Sequence, residues 1–187
     1  MDISFDKPGG MPPHESTAAE YVALRATIRE RGTVRVCSIL VGLAVWGALV
    51  VTLVASEASG AVTMVPLVLL AATFEISFFI HTAVERIGRY IQVFYEERAQ
   101  WSGWESTAMS YGTTFPTAGL DPIFSLLFFA ATLANFFSLL SEYPNEGWNV
   151  VSLVAHIAFN YRIVRARRSS AAQRAIDLDR FRQLLSK

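Results

Sequence analysis

The sequence predicts an all-α integral membrane protein, a four-transmembrane-helix bundle with amphipathic cytoplasmic helices. Three observations predict it. Long runs carry no charge although 17% of the 187 residues are charged. The apolar content of 52% is concentrated in those runs. All Lys and Arg residues fall in alternate segments between them. A bilayer core of about 30 Å is crossed by roughly 20 residues of helix, the length of the first three runs.

Residues 1–15 are polar and contain Pro8, Gly9, Gly10, Pro12 and Pro13, which predicts a disordered tail. The first apolar run begins only after Arg35, so a cleavable leader is not expected. Thr17 and Glu20 have capping-box spacing and predict a helix start. Tyr21, Leu24 and Ile28 then share one side of an amphipathic helix, expected first as a solvated helix leading into the first span and otherwise as one that lies along the membrane or packs on another subunit.

Residues 36–55 are free of charge and form the first expected span. Glu57, Ser59 and Gly60 make a turn, and residues 61–81 form the second, interrupted only by Glu75. Ile87, Ile91 and Phe94 recur at helical spacing among charged residues, so the second helix is expected to continue into a cytoplasmic segment, 82–121. Trp101 and Trp104 are candidate interface contacts, since indole rings favour the membrane–water boundary and protein interfaces. Residues 102–119, rich in Gly, Ser and Thr, read as a loop.

Asp121 followed by Pro122 is a good N-cap with proline at the first helical position, and residues 122–141 form the third expected span. A short turn containing Pro144 leads to the fourth, 147–164. Its uncharged part, 147–161, spans only about 22 Å, so either Arg162 and Arg165 snorkel to the interface or neighbouring helices partly shield this one. Ile176, Phe181 and Leu185 mark a C-terminal cytoplasmic helix over 169–187. The domain reading is thus a tail, a membrane domain over 16–168 and this last helix.

Orientation follows from charge. Five Lys or Arg residues precede the first span, three lie between the second and third, and eight lie from Arg162 onward. This bias predicts both termini on the cytoplasmic side, with the plasma (inner) membrane as the expected location. The formal net charge of zero offers no uniformly basic face, so nucleic acid is not an expected partner. Cys37 is the only cysteine, which excludes an internal disulfide and a multi-cysteine metal site.

Glu75 is the one acid well inside a span, where an ionised carboxylate is costly; it is expected to be partnered or protonated. It lies at a depth of roughly 21 Å from the outer end of its helix, and Asn160 at roughly 20 Å, so the two are expected to meet. Asn149, Ser152, His156 and Asn160 follow at spacings of three, four and four along one face of the fourth helix. That face is expected to meet other helices or to line a hydrated path. His81 and His156 differ in depth by about 16 Å, too far to ligate one haem within a subunit. His81 and Glu85 are expected to share a local hydrogen bond. No Glu-x-x-His, His-Glu-x-x-His, phosphate-loop or nucleophile-elbow pattern occurs, and no cofactor, metal or reaction is indicated.

Small residues four apart, Ser38 with Gly42, Ala44 with Ala48 and Ala130 with Ala134, favour close helix packing. The functional expectation is a structural or interaction role, as accessory subunit of a membrane complex or as a homo-oligomer, with membrane lipids and other membrane subunits as partners. The alternative is a small ion or proton channel, transporter or membrane effector that uses Glu75 and the polar face of the fourth helix.

Overall fold

The computed structural model describes residues 13–58, 60–100, 103–114, 121–140 and 146–186. Among these the chain is all-helical. Helix α1 runs from Pro13 to Ala55, a short 3₁₀ turn covers Gly60–Met64, and α2 covers Val65–Ile91. The α2 axis continues through a wide π-helical turn, Gln92–Glu97. Then come α3 (Trp104–Thr114), α4 (Asp121–Leu140) and α5 (Glu146–Leu185). Two helices, α1 and α2 with its continuation, are long and apolar enough to cross a membrane. The apolar part of α4 is shorter, Phe124–Ser138.

The expected amphipathic helix and first apolar run are one uninterrupted helix of 43 residues, roughly 65 Å long. No proline falls inside the joined stretch, and Gly32 has nothing within 4 Å of where a side chain would stand, so nothing local forces a break. The start lies earlier than the capping-box spacing indicates. Pro13 opens the helix, where a missing N–H costs nothing. Residues 13–15 therefore belong to α1; residues 1–12 of the expected tail lie outside the described residues. Glu20, expected to reach back to Thr17, instead accepts the Tyr90 hydroxyl at 3.0 Å. Likewise α5 is continuous over 40 residues, with no break near residue 168.

The segment read as a loop contains α3. The N–H groups of Glu105 and Ser106 in its first turn are satisfied by Glu96, nine and ten residues earlier, so composition within the segment carries no sign of it. Trp104 opens this helix and is 69% exposed; Trp101 lies outside the described residues.

The apolar core joins α2, α4 and α5. Phe74 is its hub, with its ring centroid 5.3 Å from Phe128, 5.8 Å from Phe159 and 6.0 Å from both Phe78 and Phe124. Leu67, Leu70, Ile163 and Ala166 complete the packing. The α1–α2 contact is the most extensive between helices. It needs Gly42, because a β-carbon there would overlap the Thr73 side chain. Of the small-residue pairs, Ser38 with Gly42 thus faces this seam, whereas Ala44, Ala48, Ala130 and Ala134 are exposed.

Candidate functional site

In the apolar half, the polar groups form a neutral circuit across three helices. Trp46 Nε1 donates to Asn135 Oδ1 at 3.0 Å. Asn135 Nδ2 lies 3.0 Å from His156 Nε2, and His156 Nδ1 lies 2.7 Å from the Ser152 carbonyl. An amide nitrogen only donates and a carbonyl only accepts, so the imidazole is the neutral tautomer with its proton on Nδ1. Both ring nitrogens are engaged. His156 could ligate a metal or haem only by breaking one of these bonds, and no group of three or more potential metal ligands occurs among the described residues. Phe136 covers the ring edge at a centroid distance of 5.2 Å.

Ser152 and His156 are buried, while Asn149 and Asn160 are half-buried. Asn160 Oδ1 is enclosed without a hydrogen-bond partner. Its expected meeting with Glu75 does not occur: the Glu75 carboxylate pairs instead with Arg162 Nη2 at 2.8 Å. Arg162 therefore reaches along the bundle to an acid instead of snorkelling, and its guanidinium lies 5.3 Å from the Phe78 ring centroid and 5.9 Å from Phe74. One turn separates Phe74 from Phe78, so the two rings make a rail on which the flat cation rests. The pair is unusual for its surroundings. The Glu75 side chain is 47% exposed and that of Arg162 39%, beside bare Ile76 and Phe79.

The polar half is built by charge. Glu96 is fully buried. Its carboxylate accepts the backbone N–H of Glu105 at 3.0 Å and that of Ser106 at 2.7 Å, together with the Ser106 hydroxyl at 2.5 Å. These bonds cap α3 with a negative charge, the sign that a helix N-terminus favours. Gly103 allows the approach, because a β-carbon there would collide with the Glu96 side chain. Glu105, also buried, pairs with Arg25 at 2.7 Å and with buried Arg89 at 3.8 Å, tying α1 and α2 to α3.

Farther along, Arg86 pairs with Asp177, Arg174 with Glu85 and Arg182 with Glu97. Glu85 thus forms an ion pair with α5, and His81 accepts from Arg35 Nη1 at 3.2 Å, so one interhelical ion pair and one interhelical hydrogen bond stand where their mutual bond was expected. Burial and the acceptor Glu20 raise the Tyr90 and Tyr95 hydroxyls above the ordinary tyrosine value and keep both neutral.

Sequence reasoning missed Asn135, Trp46, Glu96, Glu105 and the role of Arg162. Two had a signal: Asn135 is the sole amide in residues 122–141, and Trp46 sits in the middle of an apolar run and not at its edge. Glu96 and Glu105 resemble any exposed acid of a polar helix. The chain matches no protein-family model, no curated protein and no solved structure.

Proposed function

We propose that this chain crosses a membrane four times, with both termini in the cytoplasm of a cell whose plasma (inner) membrane it occupies. Its role in this reading is structural: it binds other membrane subunits, as a homo-oligomer or as an accessory subunit. Only 11% of the most apolar stretch of α1 is buried inside the molecule, which suits a helix facing lipid and not the core of a soluble protein. The apolar part of α4 and residues 147–161 would supply the other two spans.

The observation that carries the interaction role is the half-exposed Glu75–Arg162 pair. With residues 61–81 as a span, Glu75 lies about 9 Å from its inner end, a depth at which lipid tails offer no hydrogen bonds. Val65, Val68, Ala72, Ile76 and Phe79 are exposed around it on the outer face of α2. A protein surface covering that face would shield the pair and complete its hydrogen bonding, and a second copy of the chain is the simplest such surface.

Disulfide crosslinking in native membranes tests this. In a Cys37→Ala background, Phe79→Cys is expected to give a covalent dimer, whereas Val51→Cys, on the exposed face of α1, is not. A monomeric mass in several gentle detergents, with no crosslink from Phe79→Cys or Ile76→Cys, overturns the reading.

The half-exposed carboxylate favours one further reading, an ion or proton path along the same face. The circuit through His156 already satisfies its own polar groups, so such a path would run past Glu75. Loss of ion flux from proteoliposomes in Glu75→Gln, with the crosslink retained, would select it.

A further inference from the structure

Where the apolar half meets the polar half, α1, α2, α4 and α5 leave a cleft. Its inner recess, about 40 Å³, is lined by Arg35, His81, Arg174 and the buried hydroxyl-bearing residues Ser125 and Ser170. It shares Ser125, Ile163 and Arg167 with a wider outer groove of about 400 Å³, to which Arg168, Phe129 and Val164 add walls. No carboxylate lines either part among the described residues. The acids close by are each engaged by an arginine, Glu85 by Arg174 at 3.1 Å, Asp177 by Arg86 at 3.3 Å and Glu75 by Arg162 at 2.8 Å.

Arg35 is held in place. Its guanidinium lies 4.7 Å from the Phe124 ring centroid, and its Nη1 donates to His81. A positioned guanidinium flanked by further arginines and hydroxyls is chemistry suited to a phosphate, whose oxygens accept several N–H and O–H donors at once.

We propose that this cleft binds the phosphate headgroup of an anionic phospholipid from the cytoplasmic leaflet. The assignment to lipid, in preference to a soluble phosphate, rests on the membrane placement given above and on position. Arg35 directly precedes the first charge-free run, His81 closes the second expected span, and Arg167 and Arg168 lie just beyond the fourth. Two segments of sequence therefore bring cations, and a third a neutral imidazole that accepts from one of them, to one level, the level of the lipid phosphates. The walls fit the same ligand: Phe129, Ile163 and Val164 give the outer groove an apolar side for the glycerol and the first part of the acyl chains, beneath a basic rim.

Purified, delipidated full-length protein is titrated with phosphatidylglycerol, phosphatidylcholine or inorganic phosphate alone, and bound adducts are counted by native mass spectrometry. The expected result is one retained phosphatidylglycerol per chain, at least tenfold preferred over phosphatidylcholine and not displaced by millimolar phosphate. The double variant Arg167→Gln with Arg168→Gln is expected to lose most of that preference, with unchanged helix content by circular dichroism. Arg180→Gln, an exposed change on α5 outside the cleft, is expected to keep it.

Equal retention of the two lipids by the wild-type protein overturns the proposal without recourse to any variant. Displacement by phosphate alone overturns the lipid assignment, and an unaltered preference in the double variant overturns the site. Failure of the membrane placement has a separate signature, release of the protein from membranes by alkaline carbonate.

Discussion

The two halves of this bundle solve one problem, joining helices through polar groups, in opposite ways. In the apolar half the linking groups are neutral, an indole, an amide, an imidazole and a carbonyl, each donor matched to one acceptor. In the polar half they are ions: Glu105 between Arg25 and Arg89, Arg86 on Asp177, Arg174 on Glu85 and Arg182 on Glu97. The difference follows from solvation. A neutral hydrogen bond loses little on leaving water, whereas separating ions from water is repaid only with good geometry or residual solvent. The contrast makes Glu75–Arg162 conspicuous, because it is an ion pair among apolar surroundings and is left half bare.

The strongest way to break this contrast is at Glu105. Alanine there removes the acceptor of Arg25 and leaves Arg89, only 5% exposed, without its carboxylate. The expected loss is about 3 kcal/mol, the lower end for removing one partner of a buried pair, since Arg25 can recover water. Chemical unfolding followed by circular dichroism checks it, and an unchanged midpoint would mean that the ionic lattice does not hold α3.

A smaller effect is expected at Asn135. Leucine leaves the Trp46 indole N–H and His156 Nε2 without partners and should cost roughly 1–2 kcal/mol, the range for interhelical hydrogen bonds in apolar surroundings. The sharper readout is salt. Unfolding of the Asn135→Leu variant should differ from wild type by the same amount at low and high ionic strength, while the Glu105→Ala difference should shrink as salt rises.

The smallest effect belongs to the partly exposed Glu97–Arg182 pair, where pH provides the test. Hydrogen bonds from Arg182 hold the Glu97 carboxyl below its ordinary value of 4.5 despite partial burial. A depressed carboxylate pKa contributes stability above the unfolded-state value and loses it as pH falls through the folded-state value. Wild type should therefore lose slightly more stability than Glu97→Gln as pH drops from near 4.5 downward, with no difference between their slopes from 6 to 8. Parallel curves throughout would show that the pair is not formed in solution.

Much of the helical plan was legible because it depends on neighbours in sequence. Apolar runs, the helical spacing of Ile87, Ile91 and Phe94, and the three- and four-residue steps from Asn149 through Ser152 and His156 to Asn160 are all periodic signals. What escaped depends on contacts remote in sequence. The cap of α3 comes from Glu96, on the preceding helix, and Gly103 matters only because that carboxylate sits beside it. Arg162 was read for its nearness to the membrane edge, which says nothing about an acid 87 positions earlier waiting on α2. Asn160 and Glu75 have similar depths, but depth leaves the azimuth around each helix open, and here Asn160 turns inward while Glu75 turns out.

The continuity of α1 and α5 has a mechanical consequence. Neither rod is broken by proline where its apolar part gives way to its polar part, so each behaves as a stiff lever and not as two jointed struts. A tilt of roughly 10° within the apolar half moves the far end of an arm of about 30 Å sideways by about 5 Å, nearly the length of one helical turn. That distance is larger than any of the ion-pair separations linking the distal ends. The pitch of α5 is thereby geared to the register in which Arg86 reaches Asp177 on it and its own Arg174 and Arg182 reach Glu85 and Glu97.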